Sequence, residues 1–330
     1  MINENKLIAL GADIKPQLIV VVDTEEEFDW SKPPDRNATS VSAMSELYRV
    51  QDIFDEYNIV PCYVIDYPVA ANPSSVALLK EIFDDKRCEI GAHLHPWVNP
   101  PHCEALTFAN MYPGNLPKDT EYNKLKTLKE QIEQSFGDSP HIYKAGRYGI
   151  GPNTARIMES LGFDIDVSIC TGFNYEADGG PDFSQYTSHP YWFGQNQKLL
   201  EIPLSGGFIG AAGRHSKTLY DVADHLDLFK ARWILSRLSI VDRLILSPEG
   251  YTPAEHVKLT RSLLDQGLRT FTWNFHSPTV VAGTTGYTKN KRDVNAFLDS
   301  FRYYFDFFFG ELNGEATTPT QLKSFLKTVQ

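Results

Sequence analysis

The sequence predicts an α/β fold with a mainly parallel sheet, wound into a barrel of seven or eight strands. Three observations carry this. Short apolar runs alternate with helically spaced patterns along the chain, with no repeat, low-complexity tract or linker between them. The first run, Leu18 to Val22, is continuous and β-branched, the pattern of a strand buried on both faces of a parallel sheet. The length, 330 residues, accommodates one large barrel or two ordinary domains, and the unbroken alternation favours the single barrel.

The elements follow in order. Val41 to Tyr57 carries Leu47, Val50, Ile53, Phe54 and Tyr57 at helical spacing, and Ile59 to Ile65 reads as the next strand. Val76 to Phe83 is a helix, and Cys88 to Ala92 a short strand ending at His93. Residues 97–119, rich in Pro and Asn, read as an insertion over one end of the sheet. Glu121 to Phe136 is a polar helix, His141 to Lys144 a strand, and Pro152 to Leu161 a helix stopped by Gly162. Phe163 to Ile169 is a strand, and residues 171–197 form a second excursion. Strands are expected at Leu199–Leu204, Leu244–Ser247 and Thr270–Phe275, with helices near Leu219–Leu235 and Ala254–Leu264. Residues 291–330 form a C-terminal helical segment, in which Phe297, Leu298, Phe301, Tyr304, Phe305 and Phe308 make an apolar stripe that reads as core.

Composition narrows the function. Lys and Arg number 31 against 42 Asp and Glu, a net charge of −11, which argues against a nucleic-acid backbone as partner. No apolar run is long enough for a membrane span. Glu4, Lys6, Asp13 and Lys15 break up the N-terminal apolar patch, unlike a signal peptide. Cys62, Cys88, Cys103 and Cys170 show no CxxC spacing and are expected to be reduced and buried in a cytoplasmic protein.

In parallel α/β folds, chemistry collects at the carboxyl ends of strands, and four strand ends here carry residues that a core would not choose. After the first strand come Asp23, Glu25, Glu26, Glu27 and Asp29, whose mutual repulsion calls for a divalent metal or an Arg among them. Asp23 and Glu25 abut the strand, whereas the other three could simply face water. After the third strand, His93 and His95 are two apart, and paired imidazoles with carboxylates suit Zn²⁺, Co²⁺ or Ni²⁺. His102 and Cys103 in the following loop are weaker candidates. The turn Lys144-Ala-Gly-Arg147-Tyr-Gly-Ile-Gly151 is Gly-rich without the spacing of a nucleotide loop. Asp166, within an apolar strand, needs a partner, and another strand ends on His276.

Taken in order, these stations resemble the polysaccharide deacetylases, the NodB-homology group also called carbohydrate esterase family four. The matching segments are Asp23-Thr-Glu25, His93-Leu-His95, Lys144-Ala-Gly-Arg147-Tyr-Gly, Asp166 and Phe275-His276-Ser-Pro, spread between Gln17 and about Gly283. The wording HLHPW, GRYG and FHSP looks like a WalW-type branch. The His pair is two apart where the familiar one is four apart, with Trp97 in the expected second place. The resemblance implies a distorted (β/α) barrel, a divalent metal and an N-acetylated sugar or glycan as substrate. It implies Glu25, His93 and His95 as metal ligands and Asp23 as general base, with Arg147 or Lys144 orienting that base. His276 would be the general acid, held by Asp166 within hydrogen-bonding reach or one water away. Three other readings stay open: a metal-dependent hydrolase of a non-sugar amide, a glycoside hydrolase using Asp23 and Glu249, and a non-catalytic sugar-binding protein.

Overall fold

The computed structural model describes residues 7–29, 32–209 and 242–329, so the helix expected near Leu219–Leu235 lies outside the described residues. Strand β1 (Gln17–Thr24) leads through helix α1 (Tyr48–Glu56) to β2 (Cys62–Ile65). Helices α2 (Tyr67–Ala71) and α3 (Pro73–Asp84) precede β3 (Glu89–Leu94), and α4 (Lys118–Phe136) precedes β4 (Ile142–Ala145). Helix α5 (Thr154–Leu161) ends at Gly162, whose φ of 81° is the left-handed stop expected there. It leads to β5 (Ile165–Asp166), β6 (Tyr191–Phe193) and β7 (Leu199–Glu201). Then come β8 (Gly206–Ile209), β9 (Asp242–Ile245), α6 (Pro253–Asp265), β10 (Thr270–His276), α7 (Lys291–Phe305), β11 (Glu315–Ala316) and α8 (Pro319–Thr328).

The principal sheet runs in the order β10-β1-β2-β3-β4-β5-β7-β6, with β11 added to the start of β1. Its strands are parallel except β6, which runs antiparallel to β7. The sheet described is a curled half-barrel, the coarser form of the distorted barrel expected. Among the described residues no ladder joins β6 to β10, and β8 and β9 pair only with each other. Single bonds extend the β8–β9 pair and tie it to β10: Leu246 N–H donates to Ser205 O at 2.7 Å and Asn274 N–H to Leu246 O at 3.1 Å.

Strand alternation sorts the core into two faces. Ile19, Val21, Cys62, Val64, Ile142, Ile165, Val167, Leu200 and Ile202 pack on the concave face. Leu18, Val20, Val22, Tyr63, Ile90, Ala92, Tyr143, Phe271, Trp273 and Phe275 pack on the convex face against the helices. The aromatic stripe of α7 belongs there, with Phe301 5.0 Å from Phe275 and Tyr304 stacked 4.5 Å from Trp273. Helix α8 closes the end opposite the strand carboxyl termini, burying Leu322 and Leu326 against the concave core. Its first turn is tied to the start of β3 by Thr318 Oγ1 donating to Glu89 Oε1 at 2.6 Å. Cys62, Cys88 and Cys170 are buried, but Cys103, expected to be buried, is exposed in the loop before α4. Among the described residues no helix is long and apolar enough to cross a membrane.

Candidate active site

The same alternation that buries Ile19 and Val21 places Asp23 on the concave face, just past the apolar layer. Parallel register carries the pattern across the sheet. Asp23 pairs with His276, Val21 with Asn274, and His93 with Lys144, so all five polar side chains share one face at the carboxyl end. Glu25 and His95 follow one step beyond their strands. Asp23, Glu25, His93, His95, Lys144 and His276 line a cavity of about 530 Å³, together with Tyr112, Tyr148, Phe173, Tyr175, Tyr251 and Tyr287.

Glu25, His93 and His95 form one cluster. Glu25 Oε2 lies 3.2 Å from His93 Nε2 and 3.3 Å from His95 Nε2, and all three side chains are buried. The other ring nitrogens already face acceptors: His93 Nδ1 lies 3.1 Å from Lys144 O, and His95 Nδ1 lies 2.8 Å from Glu26 Oε2. As Nδ1–H tautomers both rings would satisfy those acceptors and present their Nε2 lone pairs on the Glu25 side. Three electron-rich atoms converging in a buried space are favourable around a cation, so the donor set fits a divalent ion of the Zn²⁺ class.

Asp23 has different company. Lys144 Nζ donates to its two oxygens at 2.6 and 2.7 Å, and Asn274 Nδ2 donates to Oδ1 at 2.8 Å. Burial alone would raise its pKa, but the charge of Lys144, helped by His93 and His276, holds it at about 2. Asp23 is therefore an ionised carboxylate at the cavity wall. His276 stands 3.7 Å away through Nε2, with its side chain 24% exposed and so reachable from the cavity. Its Nδ1 pairs with Glu249 Oε2 at 2.6 Å, and Glu249 also accepts from the hydroxyl of Thr279 and the backbone N–H of His276. Burial opposes the imidazolium, but Glu249 and Glu25 outweigh it and raise the pKa of His276 to about 10.

Two expected partners are corrected. Asp166 does not hold His276. Its register partner is Tyr143, which points to the helix side, because Ile142 and Lys144 take the concave face. Asp166 accepts from Ser168 and lies beside Glu201 on β7, its register partner. The carboxylate that meets His276 Nδ1 is that of Glu249. Arg147 does not orient Asp23 either, because it sits past the end of β4 in a left-handed turn (φ 54°). Its guanidinium donates to Tyr112 Oη at 3.0 Å and lies 4.7 Å over that ring. Lys144, the other candidate, is the residue whose position on the strand faces Asp23.

The acidic run after β1 is also less solvated than expected. Glu26 is fully buried against His95, whereas Glu27 accepts from Ser40, Ser42 and the Ala43 N–H nearer the surface. Trp97 stacks on the His95 ring at 4.3 Å, so the aromatic standing where a second His was expected packs against the nearer one. The Gly-rich turn after β4 answers to close packing: Gly114 N–H donates to Gly149 O at 2.7 Å, and Gly146 lies under the end of β3. His102 and Cys103 line no part of the cavity described here.

No family model and no curated protein matches the chain. Among solved structures, a protein from Mycobacterium smegmatis inferred to be a polysaccharide deacetylase aligns over 98% of this chain and 96% of its own, with a TM-score of 0.55 and 15% identity. A 4-α-glucanotransferase from Thermococcus litoralis aligns over 94% of this chain but 40% of its own, with a TM-score of 0.53 and 11% identity. The likeness is one of fold. It places the chain among curled α/β sheets of this design and leaves the chemistry to the residues in the cavity.

Proposed function

We propose that this chain is a metal-dependent hydrolase that removes the acetyl group from an N-acetylated sugar. One observation carries the reading: a buried Glu25–His93–His95 donor set, an ionised Asp23 and a His276–Glu249 pair line one cavity. The fold likeness to a protein inferred to be a polysaccharide deacetylase supports it, as does the order of the motifs. Assignment to the WalW-type branch is part of the proposal and rests on the wording HLHPW, GRYG and FHSP.

In this reading Glu25, His93 and His95 hold the ion, with Zn²⁺ first in rank and Co²⁺ or Ni²⁺ compatible with the same donors. When bound, such an ion polarises the amide carbonyl and acidifies a coordinated water. Asp23 takes the proton of the attacking water, and Lys144 and Asn274 keep its carboxylate ionised and aimed. His276, as imidazolium, gives a proton to the departing nitrogen, and Glu249 fixes the ring through Nδ1. The C–N bond breaks, water supplies the hydroxyl of acetate, and the sugar leaves as a free amine. The Tyr and Phe side chains lining the cavity offer flat faces to a sugar ring.

The glycoside hydrolase reading has a specific point in its favour, since Asp23 and Glu249 both line the cavity. The imidazole of His276 stands between them, and Lys144 and Thr279 already engage their oxygens. An acetate-release screen on N-acetylated mono- and oligosaccharides, using Zn²⁺-loaded protein, separates the readings. Equal amounts of acetate and free amine support deacetylation. Cleavage of glycosidic bonds without acetate favours the carboxylate pair, and a glycan bound without turnover favours a binding protein.

A further inference from the structure

Resting on the metal reading above, we infer that Glu26 is a positioning residue for the ion: it selects the tautomer and the orientation of His95. A ring nitrogen ligates only when its own lone pair is free, so the proton must reside on the other nitrogen. For His95 the inference puts that proton on Nδ1, where Glu26 Oε2 at 2.8 Å stands ready to accept it. The imidazole is gripped from two directions, by Glu26 at its edge and by Trp97 stacked 4.3 Å over its face. Both are buried, so water cannot substitute for either.

Glu26 is itself held. Its backbone N–H donates to Asp66 Oδ2 at 2.7 Å, while Asp66 Oδ1 accepts from Val69 N–H at 2.8 Å as the cap of α2. Asp66 lies one residue beyond β2, the strand between those that carry Glu25 and His95. A chain of contacts therefore runs from the N-terminus of α2 through Asp66 and Glu26 to His95. The consecutive residues Glu25 and Glu26 divide the work, one facing His95 Nε2 and the other Nδ1. Glu26, Asp66 and His95 also converge closely enough to suggest a cation site of their own. The two Asp66 oxygens already accept backbone N–H groups, so the support role fits this geometry better.

The test is the affinity of metal-free protein for Zn²⁺, measured by competition with a chromophoric chelator. Glu26→Gln keeps the size of the side chain and loses its charge, and outer-shell changes of this kind typically cost about 10–100-fold in metal affinity. The expected result is a loss of that size, with an unchanged melting curve for the metal-free protein. The imidazole ¹⁵N shifts of His95 should also move away from the Nδ1–H pattern, a signature that a purely structural role would not produce. If Glu26→Gln fails to fold, Asp66→Asn is measured in its place and should weaken Zn²⁺ binding in the same direction. Wild-type affinity with unchanged His95 shifts would overturn the inference while leaving the ion site standing. A wild-type protein that binds no Zn²⁺ would instead overturn the reading beneath it.

Discussion

Asp23 and Glu25 are separated by one residue yet end up with opposite surroundings, and the difference is one of partners. Asp23 meets the ammonium of Lys144, whereas Glu25 faces the Nε2 atoms of two imidazoles. In the proposed mechanism the first arrangement suits a base and the second a ligand. Asp23→Asn should therefore abolish turnover, by about 10²–10⁴-fold for loss of a general base, while metal content stays near wild type. Parallel metal analysis and acetate assays check this. Loss of the ion together with activity would make Asp23 a ligand, and full activity would remove the mechanism. Asp166 belongs to another account. Burial pushes Asp166 up to about 6 against the lowering effect of its hydrogen bonds with Ser168 and Glu201, while burial and the charge of Asp166 push Glu201 well above the ordinary range. A carboxyl whose folded pKa exceeds its unfolded one stabilises the fold below the unfolded value and loses that contribution as pH rises through the folded value. Asp166→Asn should therefore melt higher than wild type at pH 8, with the difference vanishing near pH 4. Thermal melts across that range decide it, and a variant that is less stable at pH 8 would contradict the buried-pair account.

At the scale of elements, the positions of the strands were legible because continuous apolar runs can be buried only in the middle of such a sheet. The site residues that stand on those strands were legible for the same reason. Asp166 misled because the sequence shows a carboxylate in a strand without showing which face it takes. The flanking Ile165 and Val167 hold the concave layer and so send Asp166 to the convex side. Glu249 and Glu26 were harder, since a carboxylate in a Pro-Gly loop or within an acidic run looks solvated until the fold buries it. Gly146 shows how tightly the strand ends are packed. A Cβ there would come 2.6 Å from His95 Cδ2 as well as onto the backbone of Leu94. Gly146→Ala should therefore displace His95 and weaken Zn²⁺ affinity by at least about 10-fold, the scale seen when ligand support is lost. Titration of the metal-free variant reads this directly. Affinity equal to wild type would mean that the end of β3 can move aside without cost.

For the molecule as a whole, the curled sheet separates stability from chemistry. The convex face carries the large aromatic core with α7, and α8 seals the far end. The carboxyl end is thereby free to hold charged groups that would be costly in a core. At one edge of the curled sheet β6 runs antiparallel to β7, which ends the parallel winding there. This division means that removing a ligand should empty the site without unfolding the protein. Isothermal titration of metal-free protein with Zn²⁺, run beside His93→Ala, tests this most directly. The account predicts about one ion per wild-type chain and none for a folded His93→Ala. A wild-type protein that takes up no ion, or a His93→Ala protein that binds as tightly as wild type, would contradict it.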